Sequence, residues 1–411
     1  MKYINAKNLL PDDLLEIVQE YTQGNYIYIP KKDGTRDKWG SKTSYNQELL
    51  IRNKHIHTDF LRGYDLAMLS KNYCLSVKSI RRILFSYKKE ADKMKDKLQK
   101  LLSDNWNIEQ DIFQIYPTAW SVGNDYVIKV NNNFAKMKRN IAMIKVLNER
   151  NIPVAVPIPT LSGEDYIECE ENFCFLSKKL SGKEIINIFD EKNYLDIAGE
   201  TGRIIANLHK AFLSCEDKVA FWNNSLLEEM KGWISNVLEE NNYKYVSLFD
   251  LEESISELEE AYDKLPKQLI HRDIYYGNIL FNNIVNENNI VNDNKSEFCG
   301  YIDFDLSQKN IRIFDICYFL MGLLVNRYQN KEYIVKWKEI SKEFLKAYDS
   351  LNTIQKQEKE SMCNVMKCIE LLFTAYFIKE KDEVNAKSSA ELYYFIRENE
   401  TEITDIFTDK C

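Results

Sequence analysis

Residues 269–283, LIHRDIYYGNILFNN, set an apolar pair, Leu269 and Ile270, before His271-Arg272-Asp273 and place Asn278 five positions after the aspartate. A short apolar strand running into a polar loop is a pattern that delivers reactive side chains to a fixed spot. Thirty residues beyond Asp273, the stretch CGYIDFDLSQKN repeats the arrangement, with a Tyr-Ile strand bringing Asp303 to a second loop. Upstream, YVIKV carries Lys129 within an apolar strand.

Transfer of a phosphoryl group needs a carboxylate beside the attacking hydroxyl, a metal clamp on the nucleotide phosphates and a cation on the α/β-phosphates, all in fixed geometry. The H-R-D-x-x-x-x-N spacing supplies the first two from one loop. Asp273 would orient and deprotonate the hydroxyl, and Asn278 would offer its amide oxygen to magnesium. Asp303 is placed as a second metal ligand, and Lys129 as the phosphate-contacting lysine. Each piece has a plainer reading: a strand lysine protects a sheet edge, and Asp303 ends a strand in a turn. His271 is expected to be structural, hydrogen-bonded to backbone near the loop. What gives the set meaning is its order, a strand lysine first, then HRDxxxxN, then the I-D-F strand end.

The general bounds are compatible with such an enzyme. At 411 residues the chain has room for two or three domains and a sizeable core. No basic n-region with an apolar h-region opens the sequence, and no apolar run is expected to reach the roughly 18 residues that cross a bilayer. Nine cysteines, irregularly spaced and without a CxxC pair, indicate neither a disulfide framework nor a zinc site. A cytoplasmic location is expected. The net charge of −8 conceals an asymmetry: residues 31–99 carry 17 Lys+Arg against 8 Asp+Glu, a local +9 that leaves the remainder at −17. A basic module facing nucleic acid fits that pattern; so does a solvated lysine-rich helix surface for residues 87–100, YKKEADKMKDKLQK.

Composition and periodicity divide the chain into four parts. Residues 1–90 open with a helix, LLPDDLLEIVQEYTQG, then a strand, NYIYIPKK, stopped by Pro30, then a polar turn region, DGTRDKWGSKTSYNQELL. Beyond it, Asp65 to Leu69 read as a short helix and Ser76 as the N-cap of another, with Ile80, Ile83 and Leu84 at helical spacing. Two short helices across a tight turn, with Lys78, Ser79, Arg81 and Arg82 off the apolar face, are how a helix-turn-helix meets double-stranded DNA. An αα-hairpin used for packing or dimerisation gives the same pattern. His55 and His57 read as surface residues. Residues 91–105 read as a basic helical linker. From 106 to 178 short strands surround one helix, FAKMKRNIAMIKVLNERN, with IPVAVPIPT read as a further strand. From 179 to 411 the pattern is mostly helical, interrupted by the asparagine-rich NNIVNENNIVNDNKSEF, read as an extended hairpin tip. The expected fold class is α+β: a bilobal, protein-kinase-like arrangement of a small β-rich lobe and a large helical lobe, preceded by a mainly helical helix-turn-helix domain.

Residues from about 106 to 340 resemble the aminoglycoside phosphotransferase and choline kinase family, the phosphotransferase enzyme family. The resemblance rests on YVIK at 126–129, NIPVAVPIPT at 151–160, the Ser-Gly of KKLSGKEI and ANLH at 206–209. It continues in IHRDIYYGNIL at 270–280 and in YIDFDL with RIFDI between 301 and 316. It implies Asp273 as catalytic base, Asn278 and Asp303 as Mg2+ ligands, Lys129 on the ATP phosphates, and Leu176, Ser177 and Lys178 as the adenine-facing hinge. It also implies that Asp315 braces the catalytic loop through its backbone amides. Residues 1 to about 90 are similar to small Mor-like bacterial transcription-activator domains. Three departures stand out. Where relatives carry a helix glutamate that pairs with the strand lysine, Asn140 aligns, an amide that would hold Lys129 without charge assistance. The stretch before Lys129 contains a single glycine, Gly123. The metal loop reads D-F-D rather than D-F-G, so that Asp305 either adds a carboxylate or caps a turn.

The expected function is an ATP- and Mg2+-dependent phosphotransferase acting on a hydroxyl of an aminoglycoside-, sugar- or amino-alcohol-like small molecule, fused to a DNA-binding domain. The alternative is a ligand-sensing transcription regulator with a weak or inactive kinase-like domain. A protein kinase is disfavoured, because no activation segment running from D-F-G to A-P-E follows Asp303.

Overall fold

The computed structural model describes residues 44–219, 222–282 and 297–408. The helix, strand and turn expected before Ser44 and the centre of the asparagine-rich tract lie outside the described residues. From Glu48 onward the chain forms one compact unit.

The first described helix, α1 (Ser44–Leu61), takes up the end of the stretch expected to be a polar turn. The next, α2 (Leu66–Asn72), starts where the Asp65 carboxylate accepts hydrogen bonds from the amides of Ala67 and Met68 at 2.7 and 2.8 Å. After a turn, Ser76 Oγ accepts from Ser79 N at 3.1 Å and opens α3 (Val77–Trp106). Ile56, Leu69, Ile80 and Ile83 form a small core among these helices. His57 is buried and stacks, with ring centroids 4.4 Å apart, on Tyr87, which packs against that core; it is not a surface residue as its sequence context suggested.

α3 runs 30 residues without a break across the boundary that composition placed near residue 90. The segment expected as a linker is its C-terminal half, and it packs on a sheet. Leu98, Leu102 and Trp106 bury against Ile112, Trp120, Val122, Ile128, Cys174 and Leu176, and Trp106 Nε1 donates to Ile158 O at 2.9 Å. The helix ends at Asn107, in the left-handed region at φ +54, where Ile108 N reaches back to Leu102 O.

The sheet has five antiparallel strands in the order β1-β2-β3-β5-β4, comprising β1 (Ile112–Tyr116), β2 (Ala119–Val122), β3 (Tyr126–Asn131), β4 (Ile167–Cys169) and β5 (Asn172–Lys178). Alternation along a strand assigns its two faces. Ile128 pairs with Leu176 and faces α3, whereas Lys129 pairs with Phe175 on the opposite face. There α4 (Phe134–Glu149) covers Phe175 with Met137 and Ile141. Residues 152–160, expected as a strand, make only isolated bridges, Val154 to Tyr301 and Pro157 to Ser177. Prolines 153, 157 and 159 lack the amide hydrogen a ladder needs.

The larger lobe is helical, with α5 (Tyr194–Leu213) packed along α10 (Lys331–Leu351). Gly202 permits the close approach, since a Cβ there would stand 2.2 Å from Phe344 O. Between α5 and α10 the chain forms β6 (Trp222–Asn223), three helices (α6, Leu226–Glu229; α7, Ser235–Glu240; α8, Leu248–Tyr262) and β7 (Lys267–Ile270). The hairpin β8 (Ile279–Asn282) and β9 (Glu297–Tyr301), β10 (Gln308–Ile311) and α9 (Ile313–Gly322) follow. Strand β10 sits between β6 and β7 and went unread in the sequence. The longest of the last helices, α11 (Lys356–Lys379), contains a stretch long and apolar enough to span a bilayer, contrary to expectation. That window is 67% buried inside the protein, as a core helix would be.

Candidate active site

Strand β7 ends the buried pair Leu269 and Ile270 at the loop bearing Asp273, and β8 carries the chain away after Asn278. The loop is held from beneath. The fully buried Asp315 carboxylate accepts from His271 N at 2.7 Å and Arg272 N at 2.8 Å and is 3.1 Å from His209 Nε2. Those bonds fix Arg272 at φ +72, in the left-handed region that non-glycine residues seldom occupy. The Arg272 guanidinium is spent on structure, 2.6 Å from Glu229 and 4.0 Å from the Phe314 ring centre. The ring nitrogens of His271 have no hydrogen-bond partner among the described residues. The ring packs against Phe304 instead, so the backbone hydrogen bond expected of it is absent.

Asp273 is gripped on both oxygens. Tyr318 Oη donates to Oδ1 at 2.6 Å, and Asn278 Nδ2 donates to Oδ2 at 3.1 Å and to the Asp273 carbonyl at 2.8 Å. Burial raises the carboxyl's pKa; the Tyr318 hydrogen bond opposes that, and the nearby charge of Asp303 adds to it. With the Asn278 nitrogen committed, its Oδ1 is left for a cation. Asp303 stands in the next loop at φ +65, where Ile302 N bonds Asn278 O at 3.0 Å and ties the two loops together. Its Oδ1 is buried without a hydrogen-bond partner and lies 4.0 Å from Lys129 Nζ. An orphaned carboxylate oxygen and an amide oxygen are hard donors that suit Mg2+.

The Lys129 to Asp303 approach joins strand β3 of the small lobe to the metal loop of the large one. Asn140 does not hold Lys129. Its Nδ2 donates to Asp305 Oδ1, and Lys136, one turn earlier on α4, places Nζ 3.3 Å from Asp305 Oδ2. A cavity of about 870 Å³ is lined by Lys129, Lys136, Asn140, Asp303 and Asp305, and by Tyr116, Pro117 and Thr118. The turn between β1 and β2 thus lines the same cavity as the lysine, and it contains no glycine; Gly123, at φ +53, belongs to the turn between β2 and β3.

The remaining site candidates are dispersed. The Leu176 side chain is in the core under α3 and not in the cleft, Ser177 Oγ donates to Val127 O at 3.3 Å, and Lys178 is exposed at the end of β5. At the N-terminal end of α3, Lys78, Arg81 and Arg82 are exposed and Ser79 Oγ lies 3.0 Å from Ser76 Oγ. Sequence reasoning missed Tyr318 and Lys136. The only signal for Tyr318 was its position one helical turn after Asp315, on the same face of α9.

The model of the phosphotransferase enzyme family matches residues 114–348, more than half of the chain, and this protein belongs to that family. It is therefore a phosphotransferase. Among solved structures, an amicoumacin kinase in complex with AMP-PNP, Ca2+ and Ami has a TM-score of 0.51 at 17% identity, over 70% of this chain and 85% of that one. A GDP complex of aminoglycoside 2'-phosphotransferase-IIIa has a TM-score of 0.51 at 12% identity, over 69% and 89%. These likenesses establish the bilobal fold. A stretch of 86 residues is 36% identical to the uncharacterized protein YraL of Bacillus subtilis (strain 168), covering 21% of this chain and 99% of that one.

Proposed function

We propose that the enzyme transfers the γ-phosphoryl group of ATP, bound with Mg2+, to a hydroxyl of a small molecule of aminoglycoside, sugar or amino-alcohol type. The observation that carries this reading is the approach of Lys129 to Asp303 across the two lobes, with Asp303 linked through Asn278 to Asp273. Bound magnesium would screen the triphosphate charge. Asp303 and the Asn278 Oδ1 would hold that ion, and Lys129 would contact the phosphates. Asp273 orients the acceptor hydroxyl and takes its proton as the acceptor oxygen bonds to the γ-phosphorus and the bond to the β-phosphate oxygen breaks. Tyr318 and Asn278 keep Asp273 in one rotamer, so the base needs no rearrangement.

The test is phosphorylation with Mg2+-ATP over a panel of aminoglycosides, choline, sugars and amino alcohols, alongside the Asp273→Asn variant. Turnover should fall by at least about a thousandfold in D273N, a loss of ~4 kcal/mol of transition-state stabilisation, while nucleotide binding persists. Silence across the panel with nucleotide still bound would favour a ligand sensor instead.

A second activity is part of the same reading. The exposed Lys78, Arg81 and Arg82 follow a capped helix start, which favours phosphate contacts to duplex DNA. Replacing all three by alanine should weaken DNA binding and flatten its salt dependence; unchanged binding by the triple variant would remove this activity.

A further inference from the structure

We propose that Asp305 is a positioning residue that ties α4 to the metal loop and thereby sets the distance between the small lobe and the Mg2+-ATP site. This rests on the reading of the site as an ATP site. The two acids of the D-F-D loop have different surroundings. Asp303 Oδ1 is buried without a hydrogen-bond partner and faces Lys129 at 4.0 Å, as a group awaiting a cation would be. Asp305 has both oxygens occupied from the same helix, Oδ1 by the Asn140 amide and Oδ2 by Lys136. A carboxylate already satisfied on both sides is poorly disposed to ligate a metal and well disposed to act as a strut.

The strut joins two elements that otherwise meet the site separately. α4 packs through Met137 and Ile141 on Phe175, the residue paired with Lys129 across the sheet. The metal loop is fixed from the large lobe by the bond from Ile302 N to Asn278 O. The Asp305 clasp therefore closes a circuit from Lys129 through Phe175 and α4 to Asp303. The two lysines and two aspartates around it balance in charge. When Lys129 turns to a phosphate, Asp305 still holds Lys136 and Asn140, so α4 keeps its place as nucleotide enters.

The experiment uses the full chain. ATP binding is titrated calorimetrically with Mg2+ and again with EDTA for the wild type, Asp305→Ala, Asn140→Ala and the double variant. Amide hydrogen exchange is followed over residues 134–149 in nucleotide-free protein, and thermal melts establish folding. Each single variant should weaken Mg2+-ATP about tenfold, or ~1.4 kcal/mol. D305A should weaken ATP in EDTA by a similar factor, the double variant should be no worse than D305A alone, and exchange over α4 should rise. Additive losses, wild-type binding by D305A, or a loss confined to the titration with Mg2+ would each overturn the proposal, the last by making Asp305 a metal ligand. If D305A fails to fold, N140A carries the comparison. A wild type that binds no nucleotide would sink the ATP-site reading, while the exchange measurement would still decide whether Asp305 holds α4.

Discussion

Asp273 experiences opposed forces. Burial favours its protonated form, which is useless as a base, and the 2.6 Å hydrogen bond from Tyr318 favours the carboxylate. Burial wins, so the acid limb of kcat/KM should lie above the ordinary carboxylate range. Tyr318→Phe removes a bond that lowers the pKa. The limb should therefore move further towards neutral pH, with activity near pH 8 much less affected than near pH 5; a pH profile of the variant checks this, and a limb moving down would contradict it. At this scale the sequence revealed what is local. Asp273 and Asn278 are five residues apart because one loop supplies both, and that spacing is legible. Tyr318 meets Asp273 across 45 residues and Asn140 meets Asp305 across 165. Such pairings are set by how helices pack, which no single stretch encodes. For the same reason Asn140 was assigned the wrong partner, since the helix face was right but the identity of the facing group depends on the metal loop.

Among the elements, α3 changes the division of the chain most. Its lysine-rich middle masked the apolar spacing of Leu98, Leu102 and Trp106, so composition suggested a linker where packing makes a core. Trp106→Ala removes a nearly buried indole and its bond to Ile158 O. It should cost ~3–5 kcal/mol, read as a lower denaturation midpoint with the loss concentrated in the small lobe. A change under ~1 kcal/mol would mean that α3 is not integral to that lobe. The strands β1, β2, β3 and β5 were legible from their short apolar runs. The segment 152–160 mimics them in its apolar content, but its three prolines forbid a ladder. β10 was missed because Gln308 to Ile311 is largely polar, although three of its four residues are buried between two other strands.

Over the whole molecule, stability should carry the mark of Glu370, which lies fully enclosed in α11 with a pKa pushed up to about 8 by burial. The unfolded chain loses this proton in the ordinary carboxylate range, whereas the folded chain keeps it until about pH 8. Across that window the native state binds more protons, so this group's contribution to stability falls as pH rises and levels off above it. Glu370→Gln should remove the slope, seen as wild-type and variant melting curves that agree best at low pH and diverge towards pH 8 in favour of the variant. Parallel curves would show that the carboxyl ionises equally in both states.

The uninterrupted course of α3 has a last consequence. An α-helix turns about 100° and advances about 1.5 Å per residue, so the arginines at its start and the tryptophan at its end stand in a fixed angular phase. Exchanging residues between them, about 86 to 95, leaves that phase intact. Inserting one swings the basic face roughly a quarter of the way round the barrel of the helix, while removing seven nearly restores the angle and draws the ends together by about 10 Å. The outward-facing positions of this stretch are thus tolerant in identity, unlike Tyr87, Ala91 and Met94, which pack inward; the stretch as a whole is intolerant in number, and its length works as a gauge between the two ends.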